Sequence, residues 1–170
     1  MKFINAYIRL VDKLNEKVGV VTSWLTLMLV LVVSYDVIVR YIFSVSSVGL
    51  QELEWHIFAL IFLVGAAYTL KVDEHVRVDV FYTRFSPNNK AWINFFGSIL
   101  LLIPFCIIVI IVSQDFVSMS FRLNETSPDA GGLPARYILK IFIPISFFLL
   151  LLEGIALAFK SFIQIKINSN

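Results

Sequence analysis

Residues 92–112 read WINFFGSILLLIPFCIIVIIV, twenty-one positions without a charge. A bilayer core about 30 Å thick is crossed by about 20 apolar residues at 1.5 Å of helical rise each, so this stretch is long enough to span lipid. Three further stretches of the same kind flank it, at about residues 20–39, 55–70 and 138–159. Lipid offers no hydrogen-bond partner to an open backbone, so each must be a helix. The fold expected is an all-α membrane protein, residues 1–170 forming a single domain with four transmembrane helices.

Composition agrees, with 59% hydrophobic residues, 15% charged residues and a mean hydropathy of +0.86. Four spans take up about half of the 170 residues. The remainder is too short for a soluble catalytic domain, and neither a nucleophile with its base nor a set of metal ligands stands out, so an enzyme is not expected. No cofactor is expected either. The net charge of +2 without a Lys/Arg block gives no reason to expect nucleic acid as a partner. Cys106, the sole cysteine, lies inside an apolar run, which excludes an internal disulfide. The first span is read as retained, because its apolar core exceeds the roughly 7 to 15 residues of a signal peptide and Asp36 and Arg40 interrupt the cleavage region.

Charge sets the expected orientation. Lys2, Arg9, Lys13 and Lys17 precede the first span, Lys71, Arg77, Arg84 and Lys90 fill the middle loop, and Lys160 and Lys166 follow the last. That is ten of the fourteen basic residues on one side, which places both termini in the cytoplasm. Trp24, Trp55 and Trp92 lie near span ends, where an amphipathic ring is favoured. Residues 1–17 show apolar side chains at helical spacing, Phe3, Ile4, Tyr7, Ile8, Val11 and Leu14, against a charged opposite face. They predict a short interfacial helix in contact with membrane lipids. A second is predicted in the middle loop, from Val72, Val76, Val80, Phe81 and Phe85, ending before Ser86-Pro87.

Few polar groups lie within the spans. Asp36 in the last turn of the first span stands one turn before Arg40, the spacing of an ion pair at the membrane edge. Glu153 sits deeper, on a face shared with Ser146, Leu150 and Leu157, and must meet another helix of this chain or of a partner. His56 and His75, the two histidines, are separated by about 28 Å of helical rise and cannot ligate one haem together. Pro104 and Pro144 should bend their helices. There is no matched pair of Gly/Pro-broken helices of the kind that forms ion and substrate sites in transporters.

With Arg40-Tyr41 closing the first helix, Glu52 before the second, Leu63-Val64-Gly65-Ala66-Ala67 inside it and His75-Val76-Arg77-Val78-Asp79 after it, the chain resembles the DctQ-like small membrane subunits of TRAP (tripartite ATP-independent periplasmic) transporters. Gly131 to Pro134 and the fourth helix with Pro144 extend the resemblance over essentially the whole chain. It departs from that pattern in lacking a tryptophan between Tyr41 and Glu54. The resemblance implies a multi-pass protein of the bacterial cytoplasmic (inner) membrane, with two partners. One is a large multispanning M subunit that carries sodium and substrate; the other is a periplasmic substrate-binding protein that captures an organic acid, with sialic acid nearest and C4-dicarboxylates next.

On that reading Asp36, Arg40, His75, Arg77, Asp79, Ser146 and Glu153 are candidate contacts to the large subunit, and Glu52, Glu54, Glu125 and Asp129 are candidates for docking the binding protein. Arg122 and Arg136 are secondary candidates there. The competing reading is a self-sufficient small multidrug-type exporter that uses Glu153 or Asp36 as its coupling carboxylate.

Overall fold

The computed structural model describes residues 2–73, 82 and 85–168. Among them there are four long helices and no strand: α1 Lys2–Phe43, α2 Val48–Lys71, α3 Pro87–Arg122 and α4 Tyr137–Asn168. All four are long and apolar enough to cross a membrane. They run alternately up and down, so both chain ends lie at one end of the bundle, here the terminal end. The α1–α2 and α3–α4 connections lie at the other, the loop end.

The helices outrun the apolar windows, because backbone hydrogen bonding continues past the hydrocarbon edge once a helix is nucleated. α1 continues to Phe43 and α2 begins at Val48, leaving four residues between them. Glu52 and Glu54, expected in a loop, therefore stand in the first turns of α2. Likewise, the amphipathic segment expected as a separate short helix is continuous with the first span in the 42-residue α1. The Ser47 hydroxyl caps α2 by accepting from Leu50 N at 3.4 Å, and Ser86 caps α3 by accepting from Asn89 N at 3.3 Å with Pro87 in the first turn. Of the second interfacial helix, residues 74–81 and 83–84 lie outside the described residues, and with them His75, Arg77 and Asp79.

α4 packs against each of the other three helices, and α1 packs along α2. Small residues make this possible. On α4 the buried set is Ser146, Glu153, Gly154, Ala156, Ala158 and Ser161. A methyl group added at Gly154 would lie 2.9 Å from Leu102 Cδ2. Where α1 crosses α2, Gly19 lies under the Tyr68 ring and Gly65 meets the Thr22 methyl, with added methyls at 2.6 and 3.2 Å. The Gly/Ala stripe of the second span is thus a close helix contact.

α3 is regular over Pro87–Gly97 and Ile103–Arg122, and between them Ser98–Leu102 forms one wide π turn. Pro104 has no N–H for a bond to the carbonyl four residues back, and the turn before it widens until Ile103 N–H donates to Ser98 O. Gly97, just before this turn, is helical and faces open space. Gly97→Ala should therefore raise stability by about 0.5 kcal/mol through the unfolded chain, read as a higher thermal midpoint in detergent.

Candidate functional site

The charged side chains gather in two clusters, one at each end of the bundle. At the loop end Glu52 is the hub, only 4% exposed. Ser127 Oγ donates to its carboxylate at 2.6 Å, the Leu133 N–H at 2.6 Å and Arg136 at 2.7 Å. One carboxylate thus ties the start of α2 to both ends of the loop and to the approach of α4. The Ser127 hydroxyl, the Leu133 amide and Arg136 hold its pKa down at about 2, outweighing the upward push of burial. Glu125 repeats the device one step along the loop: Ser120 Oγ donates to it at 2.5 Å and Lys140 pairs with it, so its pKa is lowered too, first by Lys140 and then by Ser120.

The loop backbone is shaped to fit. Ser127 N–H donates to Leu133 O at 3.1 Å, and Arg136 N–H to Glu125 O at 2.9 Å. Gly132 admits no side chain, since an added methyl would fall 2.3 Å from Ser127 Oγ and 2.8 Å from a Glu52 oxygen. Ala135 is held at φ +60°, a left-handed conformation that costs a non-glycine residue energy and that this web of bonds sustains. Arg136 also lies over the Trp55 ring at 5.7 Å.

Toward the terminal end, α1 and α4 are joined by a second cluster. Asn15 Nδ2 donates to Glu153 Oε2 at 2.7 Å, and Lys160 Nζ reaches Asp12 at 2.7 Å and Glu153 Oε1 at 3.2 Å. Tyr7 OH donates to Leu152 O at 3.0 Å with its ring edge-on to Phe159. Lys71 closes α2 onto α1 through Glu16 at 2.9 Å. Asn15 Oδ1, by contrast, is buried with no partner among the described residues, so half of that amide contributes nothing to the brace. Asn15→Ala should accordingly cost only about 0.6–1 kcal/mol, measured as a small fall in thermal midpoint.

Asp36 is buried and pairs with Arg40 in the i, i+4 geometry expected for them. Ser146 is turned into the bundle, and its hydroxyl has no partner among the described residues. His56 Nδ1 lies 2.6 Å from Glu52 O within its own helix. Glu54 keeps one buried oxygen without a partner, whereas Asp129 is exposed. The four acids taken together as docking candidates therefore separate: Glu52 and Glu125 are engaged by the chain itself, and among the described residues no side-chain partner engages Glu54 or Asp129. Asn15, absent from the sequence candidates, had a signal there, being an amide between Val11 and Val18 on an otherwise apolar stripe.

At the loop end Glu125, Arg136 and Lys140 also border a groove of about 460 Å³ whose other walls are mostly apolar, among them Phe58, Phe62 and Phe116. A groove of about 610 Å³ between α1 and α2 is lined by Thr22, Ser23, Thr26 and Thr69, yet each hydroxyl donates to a carbonyl four residues back in its own helix. Their donors are spent on backbone, leaving little to bind a polar cargo. Among the described residues, no group of three His, Cys, Asp or Glu side chains could hold a metal ion.

Comparison with known protein families gives a match. The family model described as "Tripartite ATP-independent periplasmic transporters, DctQ component" matches residues 10–163. A search of the curated proteins finds no match. The matched segment takes in most of all four helices and every charged residue of the two clusters, which makes the chain a small membrane component of a transporter, in a family that is not one of enzymes. The chain belongs to the DctQ family of tripartite ATP-independent periplasmic transporter components.

Proposed function

We propose that this chain is the fixed, non-translocating subunit of a sodium-coupled TRAP transporter for an organic acid, sialic acid or a C4-dicarboxylate. It anchors a large multispanning subunit in the bacterial inner membrane with both termini cytoplasmic. The observation that carries this reading is the use made of the buried carboxylates: Glu52, Glu153 and Asp36 are each bound to a neighbour within the chain. A carboxylate that carries a coupling ion must exchange partners during transport, whereas Glu52 ties α2 to the loop before α4, Glu153 ties α4 to α1, and Asp36 is held by Arg40 of its own helix. The same observation counts against the exporter reading, which needs Glu153 or Asp36 free to cycle.

A subunit braced at both ends suits a carrier in which one block of helices moves against another that stays put. Within that role Asp36, Arg40, His75, Arg77, Asp79, Ser146 and Glu153 remain the proposed edge toward the large subunit, Ser146 and Glu153 acting from within by setting the shape of α4. Purification of the tagged chain from native membranes tests the role. A large multispanning protein should accompany it in equal amount, and recovery of a lone chain that moves solute in liposomes would refute it.

The periplasmic binding protein is proposed to dock at the loop end, where Glu54 and Asp129 are the acids the chain leaves unengaged. Glu54→Lys with Asp129→Lys should reduce uptake severalfold at limiting binding protein, most strongly at low salt, while the amount of the subunit in the membrane stays unchanged. Normal uptake by that double variant would remove the docking site from this end.

A further inference from the structure

The start of α1 carries a face that the bundle does not use. Tyr7 and Asn15 are separated by two turns of α1, about 12 Å, yet they reach the consecutive residues Leu152 and Glu153 of α4. With the Asp12–Lys160 pair and the Tyr7–Phe159 ring contact, they hold this segment against the second half of α4. The segment therefore stands at the terminal end of the bundle, beyond the apolar stretch of the first span.

Ile4, Tyr7, Ile8 and Val11 form its inward side. The opposite side exposes Phe3 at 81% and Leu10 at 69%, interleaved with Lys2, Arg9, Lys13 and Lys17. The two acids of this segment are already matched, Asp12 by Lys160 and Glu16 by Lys71. Among the described residues no carboxylate forms a salt bridge with any of the four cations, although Lys13 lies close enough to Glu16 for its charge to be felt there. Ala6, Arg9, Leu10 and Lys13 line a shallow cleft of about 310 Å³, in which the small Ala6 leaves room between two basic side chains.

We propose that this cleft is a binding site for an anionic phospholipid, with the headgroup phosphate held between Arg9 and Lys13 and the acyl chains lying along Leu10 and Leu14. The cations extend toward the headgroup layer while their stems and the exposed apolar side chains remain at acyl depth. Lys2 and Lys17 add attraction at either end of the face. Each basic residue held near an anionic surface favours the charged lipid about fivefold.

The site does not depend on the subunit role above, and the purified full chain tests it. Native mass spectrometry after equilibration with equal amounts of phosphatidylglycerol and phosphatidylcholine should show anionic adducts enriched at least about fivefold. Arg9→Gln with Lys13→Gln should bring the two lipids to near equal retention, while Arg122→Gln at the loop end leaves the enrichment intact. Both substitutions replace exposed side chains, so thermal midpoints should not move. Equal retention of the two lipids by the unaltered chain, or enrichment that survives the double substitution, would overturn the assignment.

Discussion

Replacing Glu52 by glutamine should lower the thermal midpoint of the detergent-purified chain by on the order of 10 °C, more than any other single isosteric change at the loop end. The reason is the number of groups that depend on one carboxylate. Ser127, the Leu133 amide and Arg136 all donate to it. An amide in its place offers one acceptor oxygen and brings two donors of its own, so one donor is left facing donors, and Arg136 loses its counter-charge in a half-buried setting. Glu52→Asp keeps the charge and shortens the reach, and should fall between the two.

The effect depends on pH in a defined direction. Glu52 titrates near 2 in the folded chain against an ordinary glutamate value of 4.5, so the unfolded chain binds the extra proton first. Its stabilisation is complete above about pH 4.5 and fades as pH falls toward 2. Thermal midpoints taken from pH 6 down to pH 3 should decline in the parent chain, and the part of that decline due to this residue should vanish in Glu52→Gln. Parallel curves for the two proteins would show that the carboxylate is not the hub of the loop.

The second large effect is expected at the α1–α2 crossing. Gly19→Val places side-chain carbon where the Tyr68 ring now lies, the first added atom being only 2.6 Å from Cδ2. Three ring atoms including Cγ, next to the backbone, lie within 3 Å of that position, so the ring must shift and a loss of about 1–3 kcal/mol is expected. The paired substitution Tyr68→Ala supplies the check. On its own it opens a hole, yet combined with Gly19→Val it should recover part of the loss, because the new side chain fills the space that the ring vacates. Additive losses in the double variant would mean that the two residues do not share that volume.

How much of this was legible in the sequence depends on the distance over which each interaction acts. The four spans were, because apolar length is a property of a contiguous window, and residues 92–112 alone settle the class of fold. The Asp36–Arg40 pair was, since both partners lie on one helix a turn apart. Glu52 was not: its partners come from positions 127, 133 and 136, and no periodic pattern links a carboxylate in α2 to a loop some eighty residues later.

The same holds for Asn15 and Glu153, 138 positions apart. Glu153 was recognised as needing a partner because charge in lipid demands one, but the partner was not identifiable from α4 alone. The amphipathic start of α1 was visible as a pattern, whereas its continuity with the first span was not, since the charges at Lys13, Glu16 and Lys17 resemble a boundary to any reading by hydropathy.

The wide turn at Ser98–Leu102 also acts as a phase shifter. A regular helix advances about 100° per residue, and a turn that takes up one residue more than usual leaves the two halves of α3 out of step by about that angle. Trp92 and Phe95 therefore point in directions that a single helical wheel drawn through Cys106 and Ser113 would misassign. Deleting one residue within 98–102 should swing the aromatic half around the axis and detach Phe95 from Phe162, a contact with ring centres now 6.1 Å apart.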